Sequence, residues 1–325
     1  MSVEEFAPSG LFDKRLLFVT GKGGVGKTTV AAALARLAAS LGKRTLLCAM
    51  ERPADLSTAL GIGPLGYEPH LVGENLAVIG MNTEAALREY LRVQVHLPPI
   101  GRIGPLAEAF DFLATAAPGI REILTIGKLC YEVKQRSHDL VIVDAAAGGH
   151  FIGHLAAPVG IDELAGVGVI SQQTAWMLEI LEDPRTTGVI VVTTPEEMPV
   201  NESTELIARL SSETNIALCA VVANRVPPQL FGDRESEVFE ALRAHAEIVN
   251  GTALSARERT LLDVLISAAE LTQRLRLHAS AQLDRLRAGL SSFDELLFLP
   301  YVFDAEDGAA VTERLARLLA DEVDA

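Results

Sequence analysis

Cysteine is scarce in this chain: three residues in 325, Cys48, Cys130 and Cys219, all far apart. That spacing excludes a disulfide framework and a C-x-x-C metal site, and it agrees with a reducing compartment. Positive charge is scarce too, with 28 lysines and arginines against 43 aspartates and glutamates and a formal charge of -15. Such a surplus repels phosphate backbones and anionic lipid, so no nucleic-acid partner is expected. Long apolar runs are missing although 49% of the residues are hydrophobic, and none approaches the roughly 18 residues of a membrane span. Near the start, Glu4, Glu5, Asp13, Lys14 and Arg15 stand where a signal peptide would be apolar. The expectation is a cytoplasmic protein without direct membrane insertion.

What is present is alternation. Short apolar, β-branched runs at Leu16–Thr20, Thr45–Met50, Leu76–Gly80, Leu140–Asp144, Gly188–Thr193, Ile216–Ala223 and Leu296–Pro300 read as buried strands. Between them, Lys27–Leu41, Thr83–Arg92, Gly119–Lys134, Asn201–Leu210 and Ala309–Leu319 carry apolar residues at helical spacing. This is the pattern of parallel β-α-β layers: an α/β fold with a doubly wound, mostly parallel sheet of about seven or eight strands. The chain is read as one domain over residues 1–325, with helical insertions near 98–136 and 230–291. Basic positions such as Arg274, Arg276, Arg285 and Arg287 fall in the second of these and read as a solvated helix face.

The decisive segment is Gly21-Lys22-Gly23-Gly24-Val25-Gly26-Lys27-Thr28-Thr29, between the first strand and an alanine-rich helix. It satisfies G-x-x-x-x-G-K-[ST] in the strand-loop-helix setting that the chemistry needs. The glycines let successive N–H groups turn inward around phosphate, and the helix N-terminus adds positive potential there. Lys27 is expected to bridge the β- and γ-phosphates and Thr28 to ligate Mg²⁺. Asp144, at the C-terminal end of a buried strand, stands where a carboxylate holds Mg²⁺ through water.

With Lys22 directly after its first glycine, the loop resembles the deviant Walker A of the family that includes MinD, ParA, the nitrogenase iron protein and the ArsA and Get ATPases. The resemblance implies a P-loop ATPase in which Lys22 reaches across a dimer interface to the partner's nucleotide. Asp144-Ala-Ala-Ala-Gly-Gly-His150 is similar to the D-T-A-P-T-G-H switch II of the ArsA and Get branch, keeping Asp144, Ala146, Gly149 and His150. Glu51-Arg-Pro-Ala-Asp-Leu-Ser57 stands where that branch has its D-P-A-H-x-L-S switch I, and Ala117-Pro-Gly-Ile120 and Thr194-Pro-Glu196 with Glu202-Ser203 resemble further segments. Val222-Ala-Asn224-Arg225 resembles V-N-Q/R, which implies that Asn224 contacts adenine and that backbone groups near Pro300 approach the base. The ParA branch fits poorly because of the overall negative charge, and the MinD branch because Glu313–Ala325 is acidic where a membrane-binding helix is basic.

The resemblance implies ATP and Mg²⁺ as ligands, with Lys22, Lys27, Glu51 and Asp144 catalytic and with Gly21, Gly23, Gly24, Val25, Gly26, Lys27, Thr28, Thr29, Asn224 and Pro300 around the nucleotide. Glu51 departs from the family's aspartate by one methylene, which argues for slow hydrolysis; Asp55 reads as a loop or capping residue. The metalloid-binding cysteine cluster of arsenite pumps, the Get CxxC zinc pair and a methionine-rich client groove have no counterpart here. The expected partners are a second copy or a paralogous ATPase, with a hydrophobic client protein as the cargo; a weakly hydrolysing regulatory subunit is the alternative.

Overall fold

A computed structural model of the chain describes residues 8–94, 119–165, 169–229, 231–232, 234–241, 255–290, 295–303, 305 and 307–323. Its strands are β1 (Leu16–Gly21), β2 (Thr45–Ala49), β3 (His70–Leu71), β4 (Leu76–Gly80), β5 (Leu140–Asp144), β6 (Thr187–Thr193), β7 (Leu218–Val226) and β8 (Glu295–Pro300). They form one sheet in the order β3-β4-β2-β5-β1-β6-β7-β8. All pairs are parallel except the short β3 against β4. The helices are α1 (Lys27–Ser40), α2 (Pro53–Leu60), α3 (Thr83–Gln94), α4 (Ile120–Gln135), α5 (Gly148–Ala165), α6 (Val169–Glu182), α7 (Glu197–Glu213), α8 (Ala256–Ala288) and α9 (Gly308–Val323).

Because the crossover helices cover both faces, the central strands are buried on both sides and read as continuous apolar runs. Successive side chains feed opposite cores. Leu17 and Val19 of β1 pack with Leu34 of α1, Leu56 of α2 and Leu315 of α9. Leu16 and Phe18 pack with Ile126 of α4, Phe151 of α5, Leu181 of α6, Leu206 of α7 and Leu286 of α8. The rings of Phe18 and Phe151 lie 5.5 Å apart, and truncating such a buried aromatic to alanine costs about 3–5 kcal/mol.

The helix after β1 lies on one face of the sheet, whereas the helix after β5, its neighbour in the sheet, lies on the other. Adjacent connections therefore diverge at the C-terminal ends of β1 and β5, opening the crevice where ligands bind in doubly wound folds. The phosphate loop leaves β1 at this point, and Asp144 closes β5 opposite Val19.

Three helices fall outside the periodic pattern. α2 is short and starts with Pro53 at its first turn. α5 carries few polar residues, among them His150 and His154, and gathers them on no single face, so it lacks the stripe by which a helix is recognised, and it contains Pro158. α6 follows it on the same face. β7 runs three residues beyond the expected Ala223, with a register irregularity between Ala223 and Val226 and Arg225 at φ 57°. Of the insertion expected near 98–136, residues 120–135 are α4, whose Ile126, Leu129, Cys130 and Val133 belong to the core; residues 98–118 lie outside the described residues. In the second stretch, α8 opens with a capping box between Ser255 and Glu258. Its end is anchored by Leu283 and Leu286, while Leu261, Val264, Leu265, Leu271, Leu275 and Leu277 are exposed.

Candidate nucleotide site

The loop begins where β1 ends. Gly21 has φ 144°, and a Cβ there would lie 2.1 Å from the Val192 carbonyl oxygen of β6, so only glycine lets the chain leave the sheet at this point. Gly26, at φ 94°, would bring a Cβ within 2.5 Å of the Asn224 side-chain nitrogen. α1 starts at the next residue, placing Lys27, Thr28 and Thr29 in its first turn. The first-turn N–H groups of a helix have no intrahelical acceptor, which makes this end an anion site.

Lys27 curls back over the loop, its Nζ donating to the Lys22 carbonyl at 3.2 Å. Burial lowers its pKa, while Asp144 and Glu51 act in the opposite direction. The Thr28 hydroxyl donates to Asp144 Oδ2 at 2.8 Å. Asp144 is 7% exposed, and its other oxygen is buried without a protein partner. Burial raises its pKa to about 6, against the opposing effects of Thr28 and Lys27 and reinforced by Asp55 and Glu51. A hydroxyl and a carboxylate side by side, one carboxylate oxygen uncommitted, form a hard-oxygen pair that suits Mg²⁺, with phosphate and water completing the shell.

The segments flanking this pair are tied to it. Met50 donates its N–H to the Asp144 carbonyl at 3.0 Å, so Glu51 follows directly beside the carboxylate strand. Glu51 is exposed, and Asp55 lies in the first turn of α2, 3.8 Å from Arg52. Beyond β5, Thr20 of β1 donates to the Ala146 carbonyl at 2.8 Å. His150 occupies the first turn of α5, exposed, with its carbonyl 2.9 Å from His154 Nδ1.

Two sequence-selected residues take partners that the sequence does not announce. Lys22 pairs with Glu202 of α7 within its own chain, Nζ to Oε1 at 2.5 Å. Asn224 is 3% exposed and donates from Nδ2 to the Val25 carbonyl at 2.8 Å. Pro300 stands apart from the loop. It pairs in register with Val226 and lines a cavity of about 450 Å³ with Arg276, Leu283 and Phe298, none of whose lining residues belongs to the phosphate loop.

A glycine-rich loop at the switch point of a doubly wound sheet, backed by a lysine and a threonine–aspartate pair, defines a P-loop nucleoside-triphosphate site. Over residues 14–172 and 163–250 the chain matches the family described as anion-transporting ATPase, and it belongs to that ArsA ATPase family. It is 29% identical over 335 residues to ATPase BagA of Mycobacterium tuberculosis, covering 97% of this chain and 95% of the relative. It is also 34% identical over 149 residues to ATPase get3 of Schizosaccharomyces japonicus, covering 45% of each, and 32% identical over 162 residues to ATPase get3 of Neurospora crassa, covering 49% of this chain and 48% of the relative.

Proposed function

We propose that this ATPase works as a Mg²⁺-dependent, nucleotide-gated dimer in which binding and hydrolysis of ATP alter the surface offered to a client or partner protein. The observation that carries this reading is the Thr28–Asp144 pair at 2.8 Å beside the Lys27 ammonium. Together these groups supply a metal-ligating face and a cation at the mouth of a phosphate loop. The bound Mg²⁺ would neutralise developing charge on the phosphates. Lys27 holds the β- and γ-phosphates, the loop amides orient them, and Glu51 directs a water at the γ-phosphorus in line with the departing ADP oxygen. Lys22, supplied by the partner subunit, adds positive charge where negative charge accumulates. Asn224 and the backbone near Pro300 would meet the base.

The apolar side chains exposed along α8, from Leu261 to Leu275, support a role in engaging another protein. A metalloid-transport role is unsupported by the thiols. Cys48 and Cys130 are buried, and burial pushes the Cys48 thiol up to about 12 and the Cys130 thiol higher still. Neither is a thiolate donor at neutral pH.

A second reading, a weakly hydrolysing subunit that supports a paralogous ATPase, is favoured by Glu51, which is exposed and longer than the family's aspartate. Phosphate release by the purified chain, alone and with candidate paralogues, separates the two. Lys27→Ala is expected to abolish ATP binding, since loss of a charge partner for the phosphates costs about 2–5 kcal/mol. Unchanged ATP affinity by calorimetry would overturn the assignment of the site.

A further inference from the structure

We infer that Asn224 is a positioning residue for the triphosphate, acting through the phosphate loop and not only at the base; the inference rests on the nucleotide site proposed above. Its Nδ2 donates to the Val25 carbonyl at 2.8 Å. No cis peptide occurs among the described residues, so the Val25 carbonyl and the Gly26 N–H share one plane and point in opposite directions. A contact that captures the carbonyl therefore aims the amide, turning the Gly26 N–H away from β7.

Without such a contact this peptide has little to hold it. Gly24 and Gly26, on either side of Val25, lie at φ 88° and 94°, a region glycine enters as readily as its mirror image, so the intervening peptide planes flip at small cost. An amide turned out of the cradle contributes nothing to phosphate binding. The Val25 side chain is pinned in the core at 2% exposure, but a side-chain anchor does not fix the plane of the following peptide. Asn224 does. It reaches the loop from the end of β7, 199 residues away in sequence.

The chemistry also selects the residue type. An aspartate at 224 would set a carboxylate oxygen against the carbonyl with no hydrogen between them. The contact also selects its neighbour, because a Cβ at position 26 would stand 2.5 Å from Asn224 Nδ2, so the side chain can reach the loop only where residue 26 is glycine.

The test uses a ligand that has no base. Affinities of the full chain for Mg²⁺–ATP, and for inorganic tripolyphosphate in competition with ATP, are measured by calorimetry for wild type, Asn224→Ala and Asn224→Asp. Losing one hydrogen bond and stranding a buried carbonyl predicts that Asn224→Ala weakens tripolyphosphate by about tenfold and ATP by at least the same factor. Asn224→Asp, similar in shape and unable to donate, is expected to lose more, which keeps the test decisive if the alanine variant folds poorly. A loss confined to ATP, with tripolyphosphate unaffected, would mean that Asn224 serves the base alone and would overturn the inference. So would a wild-type chain whose bound ATP tripolyphosphate does not displace. A wild-type chain that binds no ATP would instead remove the nucleotide site itself.

Discussion

The ammonium of Lys22 and the carboxylate of Glu202 lie 2.5 Å apart within one chain. The loop lysine assigned to the partner's nucleotide is thus held by its own α7. Its side chain is only 25% exposed, against 48% for Glu202. A pair this accessible is worth about 0–1 kcal/mol, enough to bias the lysine without locking it.

Breaking that pair tests dimer-gated chemistry. Glu202→Gln frees Lys22 and is expected to raise turnover by no more than about fivefold, the ceiling set by an exposed ion pair. Lys22→Ala is expected to keep nucleotide affinity and lose most of the turnover. Wild-type hydrolysis per subunit that stays the same from concentrations where sedimentation finds dimer down to those where it finds only monomer would remove the trans role.

Glu51 is the second test. If it orients the attacking water, Glu51→Gln keeps the hydrogen-bonding shape, removes the negative charge and lowers turnover about 10²-fold while ATP stays bound. Glu51→Asp then reports geometry. A rise in rate means that the extra methylene throttles a competent site, and a fall means that the surroundings are adapted to glutamate. Unchanged rates in both variants would transfer the role to Asp55 or to a partner subunit.

Asp144 couples the site to stability. Its folded pKa, about 6, lies above the ordinary 3.8, so the native chain holds this proton more tightly than the unfolded chain does. The stability contributed by this group is complete below the ordinary value and is lost as pH rises through about 6. Without Mg²⁺, Asp144→Asn is therefore expected to melt above wild type at neutral pH, with the gap closing toward about pH 4. Adding Mg²⁺–ATP should raise the wild-type melting temperature by more than that of the variant, which keeps Lys27 and the loop amides but loses a metal-ligating oxygen. Parallel melting curves across the pH range would contradict the buried, uncompensated carboxylate.

A fourth prediction concerns a polar cluster away from the nucleotide site. Lys128 of α4, 10% exposed, contacts Glu89 of α3 at 2.7 Å and Glu132 at 2.6 Å, and the Tyr67 hydroxyl donates to Glu89. Lys128→Met would take the lysine from two partly buried carboxylates, 22% and 16% exposed, and cost up to about 3 kcal/mol, the lower end of the range for a buried pair. Adding Glu89→Gln and Glu132→Gln should recover much of the loss, because the uncompensated charge is then gone. Urea unfolding of the single and triple variants measures this, and equal stabilities would show that solvent already screens the cluster.

Local chemistry determined how much of this was legible. The phosphate loop is nine consecutive residues between a strand and a helix, so its glycines, Lys27 and Thr28 were readable without tertiary information, as was Asp144 at the end of an apolar run. Parallel strands buried on both faces show themselves as apolar stretches, which is why seven of the eight were visible; β3, two exposed residues long, was not. α5 was hidden because its apolar and polar residues are not segregated at helical spacing, and β7 outran its expected end because a backbone irregularity, not a change of residue type, marks that place. Partner choice was beyond reach altogether. Glu202 lies 180 residues from Lys22 and Asn224 lies 199 from Val25, and no pattern along a chain links such positions. Only the strand order, which sets β6 beside β1 and β7 beside β6, brings a carboxylate to the loop lysine and an amide to the loop carbonyl.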